Sequence, residues 1–224
     1  MPWPDHHKAR TREKIVQAAA AAFREGGVYD VRLDDVMARA GLTRGGFYAH
    51  FASKEELLRD ALDYAGRQTV ERLAQPLPAL PGEDRLQAVV DAYLSPAHVR
   101  HPGRGCPLAT LGPEIARTGG PAHKALAAGV RDRLAWMRQL LPEDERDAVS
   151  DDRLIGTLAC LVGGVVLARA VEGKDSGAVL DACREFLRRR PALPEARAGG
   201  SRARTRRPAA VAARVKRAAG PRRR

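Results

Sequence analysis

Aromatic side chains are scarce in this chain: four Phe, four Tyr and two Trp among 224 residues. A core must therefore be built mainly from Ala, Leu and Val. Cysteine is nearly missing as well. Cys106, Cys160 and Cys183 form neither an even set nor a metal-like spacing, which excludes a disulfide framework and suits free thiols in a reducing cytoplasm. No apolar run is expected to reach the roughly 18 residues of a membrane span. The start, Met1-Pro2-Trp3-Pro4-Asp5-His6-His7, lacks the apolar stretch of a signal peptide, so no membrane partner is expected. Convincing strand alternation is also absent, and the expectation is an all-α fold.

What is abundant is positive charge, a formal +12. Its distribution decides its meaning. Residues 188–224 hold 14 Lys/Arg against one acidic residue, whereas the preceding 187 residues hold 25 basic and 26 acidic. The excess belongs to a tail. Within the body, residues 1–54 carry nine basic and six acidic side chains, and residues 55–187 carry 16 and 20. That asymmetry puts a polyanion-facing end at the N-terminus.

Helical periodicity organises the rest. A first helix is expected from about Thr11, with Ile15, Ala18, Ala19, Ala22 and Phe23 on one face, ended by Gly26-Gly27. A short second helix covers 33–40, Gly41 makes a turn, and a third helix covers 43–50. Ser53 caps a fourth that runs to about Leu73. The breaker-rich 75–82 is a linker, 83–94 a helix, 95–105 a loop and 107–117 an irregular helix. Longer helices are expected over 121–141, 153–171 and 177–189. Beyond Pro191 the Ala/Arg/Pro/Gly composition can bury little apolar surface and is expected to be disordered.

The segment Gly41-Leu42-Thr43-Arg44-Gly45-Gly46-Phe47-Tyr48-Ala49-His50-Phe51-Ala52-Ser53-Lys54 carries the chemistry. A short turn with a glycine sets two helices at a steep angle, and the second can then enter a major groove. Thr43 and Arg44 stand at its N-terminal end, where Arg44 can pair bidentately with guanine. Gly45 and Gly46 lack bulk and let the backbone approach DNA. Tyr48, His50 and Lys54 fit phosphate contacts, which position a protein without reading sequence. Phe47 and Phe51 are expected to pack inward.

Residues 11–58 resemble the N-terminal domain of the TetR family of bacterial transcriptional repressors. The resemblance rests on Thr-Arg-Glu-Lys-Ile-Val-Gln-Ala-Ala (11–19), Phe23-x-x-Gly26, Asp35-Val36, Ala40-Gly41-Leu42-Thr43-Arg44-Gly45, Phe47-Tyr48-Ala49-His50-Phe51 and Ser53-Lys54-Glu55-Glu56-Leu57. It implies a three-helix helix-turn-helix DNA-binding domain (1–54), a helical ligand-binding and dimerisation domain (55–190) and a basic tail (191–224). It also implies a homodimer, a palindromic double-stranded operator and a small-molecule effector. One position departs from the pattern: Arg32 stands where the family usually has a capping, phosphate-touching Ser or Thr. Arg32 can hold a phosphate, but the cap is lost unless Asp34 or Asp30 replaces it.

For the dimer, Gly156, Cys160, Gly164 and Ala168 recur every four residues and give a narrow face for another helix. For the effector, Leu108, Leu111 and Trp136, with Tyr93, Met137 and Leu140, are candidate pocket residues. The segment 104–114 resembles a Gly-Cys stretch of a TetR subset that responds to electrophiles or oxidants. Cys106 is thus either a sensing thiol or a small buried pocket residue. His98, His101 and His123 can be set beside Cys106 as metal ligands, but no tight ligand spacing supports it, and no metal or cofactor is expected. A Cys106–His hydrolase lacks an acid partner at any recognisable spacing. The alternative function is an architectural DNA-binding protein gripping phosphates through its tail.

Overall fold

The computed structural model describes residues 5–189, with side chains from residue 7; the basic tail, and every expectation about it, lies outside the described residues. Among those residues the secondary structure is helical, with no strand. Helix α1 spans Asp5–Gly26 and α2 spans Leu33–Arg39, followed by a 3-10 helix at Arg44–Ala49 and then α3 at Lys54–Ala74. After a 3-10 turn at Leu77–Ala79 come α4 (Gly82–Tyr93), α5 (Pro96–Arg100), a 3-10 turn at Pro102–Arg104 and α6 (Pro107–Ile115). Three longer helices complete the body: α7 (Gly120–Gln139), α8 (Asp151–Ala170) and α9 (Lys174–Arg188).

Three expectations change. Helix α1 starts at Asp5 rather than near Thr11, since residues 5–10 hold neither Gly nor Pro to stop it. The supposed loop 95–105 contains a real helix. Ser95 caps α5 by accepting from His98 N, and Pro96 fills the first helical position, where its missing N–H costs nothing. The segment 43–50 is 3-10 and not α-helical; two adjacent glycines at its start penalise the α conformation.

Two hydrophobic cores share α3. The first joins Ile15, Ala19 and Phe23 of α1 to Val36, Met37, Phe47, Phe51, and Leu57 to Ala65 of α3, with Leu111 and Ile115 of α6. The second gathers Leu73, Val89, Val90, Tyr93, Leu94, Met137, Leu154, Leu158, Leu161, Val165 and Leu180. Ser53 begins α3 as foreseen: its Oγ accepts from Glu56 N at 3.1 Å, and the Glu56 carboxylate accepts from Ala52 N, one residue before the cap, at 2.8 Å. Arg12 ties α1 to the same helix through Asp60 and lies 4.5 Å over the Phe51 ring.

Helix α8 corrects one reading and bears on another. Its length and apolarity suffice, by composition, to cross a membrane, against the expectation that no run would. Yet Leu154, Leu158, Leu161, Val165 and Ala168 form a stripe inside the second core, which is what a packed helix of a globular body requires. The small-residue face divides. Gly164 and Ala168 are buried, and a Cβ on Gly164 would lie 2.8 Å from Leu94 Cδ2 and 3.0 Å from Cys183 Sγ. Cys160 is half-buried against α9, and only Gly156 is open to solvent. At Gly164 the close approach that small residues permit is taken within the protomer by Cys183 of α9 and by Leu94, just past α4.

Candidate DNA-binding face and effector cavity

The turn from α2 to the 3-10 helix is made by Gly41 at φ 72°, a left-handed conformation that glycine adopts freely. Behind the turn Phe47 and Phe51 are fully buried and stacked, with ring centroids 5.6 Å apart. This anchor leaves Thr43, Arg44, Gly45 and Tyr48 exposed on one short segment, Tyr48 at 68%. Thr43 caps nothing with its side chain, so its hydroxyl is available to a partner. Arg44 donates to Asp34 at 3.1 Å, and Arg32 approaches the same carboxylate oxygen at 3.8 Å. Asp34 thereby gathers two of the sequence-derived DNA contacts beside each other. Arg32 does not cap α2, and neither acidic neighbour restores a side-chain cap; Asp34 and Asp35 instead lie in the first turn, where negative charge meets the positive helix end.

Two other candidates are less free to reach a partner. Lys54 Nζ donates to the carbonyls of Val28 and Val31, at 2.6 Å each, so its ammonium fastens the loop before α2. His50 is half-buried with Nδ1 sealed and unbonded. Burial, and then the positive charges of Lys8 and Arg12, hold its pKa below the usual histidine value. The ring faces its surroundings neutral at pH 7.

The opposite half of α3, the start of α6 and the middle of α7 line a cavity of about 560 Å³ that opens to solvent, within the range of small-molecule sites. Leu62, Gly66, Val70, Pro107, Leu108, Ala125, Leu126, Gly129 and Trp136 supply its apolar wall, and Asp63, Arg67, Glu71, Asp132 and Arg133 its charged groups. Of the sequence-derived effector residues, the structure brings Leu108 and Trp136 together here. Leu111 belongs to the first core, while Cys106, Tyr93, Met137 and Leu140 belong to the second. Cys106 has no exposed surface. Its backbone N–H donates to His98 Nε2 at 3.0 Å, and His98 Nδ1 lies 2.7 Å from the Tyr93 carbonyl. That pairing needs a neutral imidazole with its proton on Nδ1, and burial pushes the His98 pKa down to about 4. Among the described residues, no three His, Cys, Asp or Glu side chains converge as metal ligands.

Polar contacts absent from the sequence reading tie α1 and the loop after it to α6 and to the segment before α6. The Glu114 carboxylate on α6 accepts from Val28 N at 2.8 Å and Tyr29 N at 3.1 Å. Arg24 of α1, almost fully buried, donates to the Gly105 carbonyl at 2.7 Å and to Gln68 at 2.8 Å. Burial lowers its pKa to about 10, which leaves it charged at neutral pH. Arg169 of α8 donates to the carbonyls of His98 and Val99 at 2.8 and 3.2 Å. The one sequence sign of these contacts is an Arg at a helix position whose neighbours Ala20 and Phe23 face the core.

Residues 15–61 match the family described as bacterial regulatory proteins, tetR family, and residues 82–175 match the tetracyclin repressor-like C-terminal domain. An HTH-type transcriptional regulator of Mycobacterium tuberculosis is 31% identical over 167 residues, covering 70% of this chain and 84% of the relative. The HTH-type transcriptional repressor KstR2 of the same organism is 40% identical over 78 residues, covering 32% and 39%. Among solved structures, a TetR transcriptional regulator from Chloroflexus aurantiacus superimposes with a TM-score of 0.67 at 28% identity, covering 81% of this chain and 94% of the other. The chain therefore belongs to the TetR family, as a helix-turn-helix transcriptional regulator and not an enzyme.

Proposed function

We propose that the protein is a homodimeric repressor that reads a palindromic operator through Thr43, Arg44, Gly45 and Tyr48, with Arg32 beside them. A small molecule entering the cavity releases it. The observation that carries this reading is the exposed quartet held on the buried Phe47–Phe51 anchor; side chains on a rigid support are what base readout demands. In this reading residues 1–54 form the DNA-binding domain and 55–190 the regulatory one, with α3 common to both cores. The relative KstR2 bears the name of a repressor, which supports that sign of regulation.

Dimerisation finds support on α8 and α9. Ile155, Val166 and Leu167 stay exposed on α8, as does Phe186 on α9 at 69%. An apolar surface of this kind on two adjacent helices favours a four-helix interface with a second copy, and Gly156 lies on its open side. Ligand release is favoured over thiol modification, because an electrophile in solvent meets no surface of Cys106. Glu114 and Arg24 connect the α6 region to the end of α1, so a shift of α6 around a ligand moves the loop between α1 and α2.

Footprinting over DNA flanking the gene tests the reading. Protection of two symmetric half-sites about 10 base pairs or a multiple apart is expected. Uniform coating without boundaries contradicts it and favours a tail-driven architectural role.

A further inference from the structure

Resting on the reading of the cavity as the effector site, we infer that its effector is an amphipathic carboxylate. The apolar body lies along Leu62, Val70, Leu108, Leu126 and Trp136, and the anionic head sits on Arg133.

The reason is the state of Arg133. It occupies an inward position of α7, in register with Leu126, Val130 and Met137, and retains 6% of its surface exposure. Its guanidinium makes one hydrogen bond, from Nη2 to the Gly66 carbonyl at 3.1 Å. Nε and Nη1 are sealed from solvent without a partner, and among the described residues no carboxylate pairs with it within 4.0 Å. The Trp136 ring lies 6.0 Å away, at the outer limit of a cation–π contact. An arginine cannot shed its proton to escape burial, and a buried charge with unmet donors is unfavourable.

A carboxylate supplies both missing elements, the opposite charge and two acceptors spaced for a guanidinium fork. A turn of this long, unbranched side chain toward the cavity it already lines brings the fork to the ligand. The other charged lining groups do not compete for that role. Asp63, Glu71, Asp132 and Arg67 are exposed, although partial burial already raises the Asp63 pKa; Arg133 alone among them is sealed from solvent. One buried guanidinium, with the exposed Arg67 and three carboxylates around it, favours a monoanion over a phosphate dianion, and the largely aliphatic wall favours a hydrocarbon body.

Calorimetric titration of the full chain with decanoate, decanol and decylammonium tests this. Decanoate is expected to bind about tenfold or more tighter than decanol, the ratio that charge-assisted hydrogen bonds supply. Arg133→Met should erase that ratio and leave decanol affinity within about threefold of wild type. If Arg133→Met does not fold, Arg133→Lys keeps the charge without the planar fork and should lower the ratio several-fold; an unchanged ratio overturns the inference. Equal affinity of the wild type for decanoate and decanol also overturns it while leaving the cavity as the effector site. Preference for decylammonium overturns it in favour of Asp63 and Asp132. Failure of all three probes to bind removes the cavity reading itself.

Discussion

Arg24 and Arg133 illustrate how one residue type in one kind of position leads to opposite physical states. Both are buried on otherwise apolar helix faces, Arg24 beside Ala20 and Phe23, Arg133 beside Ala122 and Met137. Arg24 satisfies its donors on Ala20 O, Gly105 O and Gln68 Oε1, whereas Arg133 holds only Gly66 O. The first is a structural brace and the second waits for an acceptor. A charged residue in an apolar register is visible in the sequence; whether partners meet it depends on which loop folds against it, and that is not. His98 shows the same limit. It reads as a loop histidine, yet it clasps Tyr93 O and Cys106 N from within α5. Its pKa of about 4 in the folded state lies below the unfolded value near 6.5. The unfolded chain therefore gains a proton first as pH falls, and stability drops between roughly pH 6.5 and 4, by about 3 kcal/mol in all. Above pH 6.5 this group contributes no slope. Thermal melts across pH 4–7 should show that decline in wild type and a flatter profile in His98→Asn. Parallel profiles would remove His98 from the acid sensitivity.

At the scale of elements, the helix-turn-helix was legible because local rules and tertiary structure agree there. Ser53 caps as its position suggests, Phe47 and Phe51 turn inward, and Gly41 takes the positive φ its turn needs. The 3-10 conformation of 44–49 was not legible, since glycine lowers α propensity without naming the replacement. Nor was the fate of the α8 small residues: a four-residue period announces close approach but not to which helix, and Gly164 meets α9 and Leu94 within its own protomer. The contact that sequence could least reveal is Glu114 with Val28 N and Tyr29 N, 86 and 85 positions away. It holds the exit of α1, where Gly27 has φ 81°. Glu114→Gln keeps the shape and removes the charge. Amide exchange at Val28 and Tyr29 should then quicken about tenfold, the loss expected when a charge-assisted bond becomes a neutral one, with α8 unaffected. Unchanged exchange at both amides would show that α6 does not grip the loop.

For the whole molecule, the formal +12 charge misleads if taken as a property of the folded body, because residues 1–187 are nearly balanced. Specific recognition therefore has to come from placement, and in the proposed reading the four exposed residues on the anchored turn supply it. Non-specific attraction by scattered cations falls steeply with salt and ignores sequence; base-edge contacts do not behave that way. A duplex selected by the wild-type protein from a randomised pool, compared with a scrambled duplex at about 150 mM salt, separates the two. Wild type should prefer the selected inverted repeat, and Arg44→Ala should lose about 1–3 kcal/mol of that preference per half-site with little loss on scrambled DNA. Equal preference in wild type and Arg44→Ala would contradict specific reading by this turn.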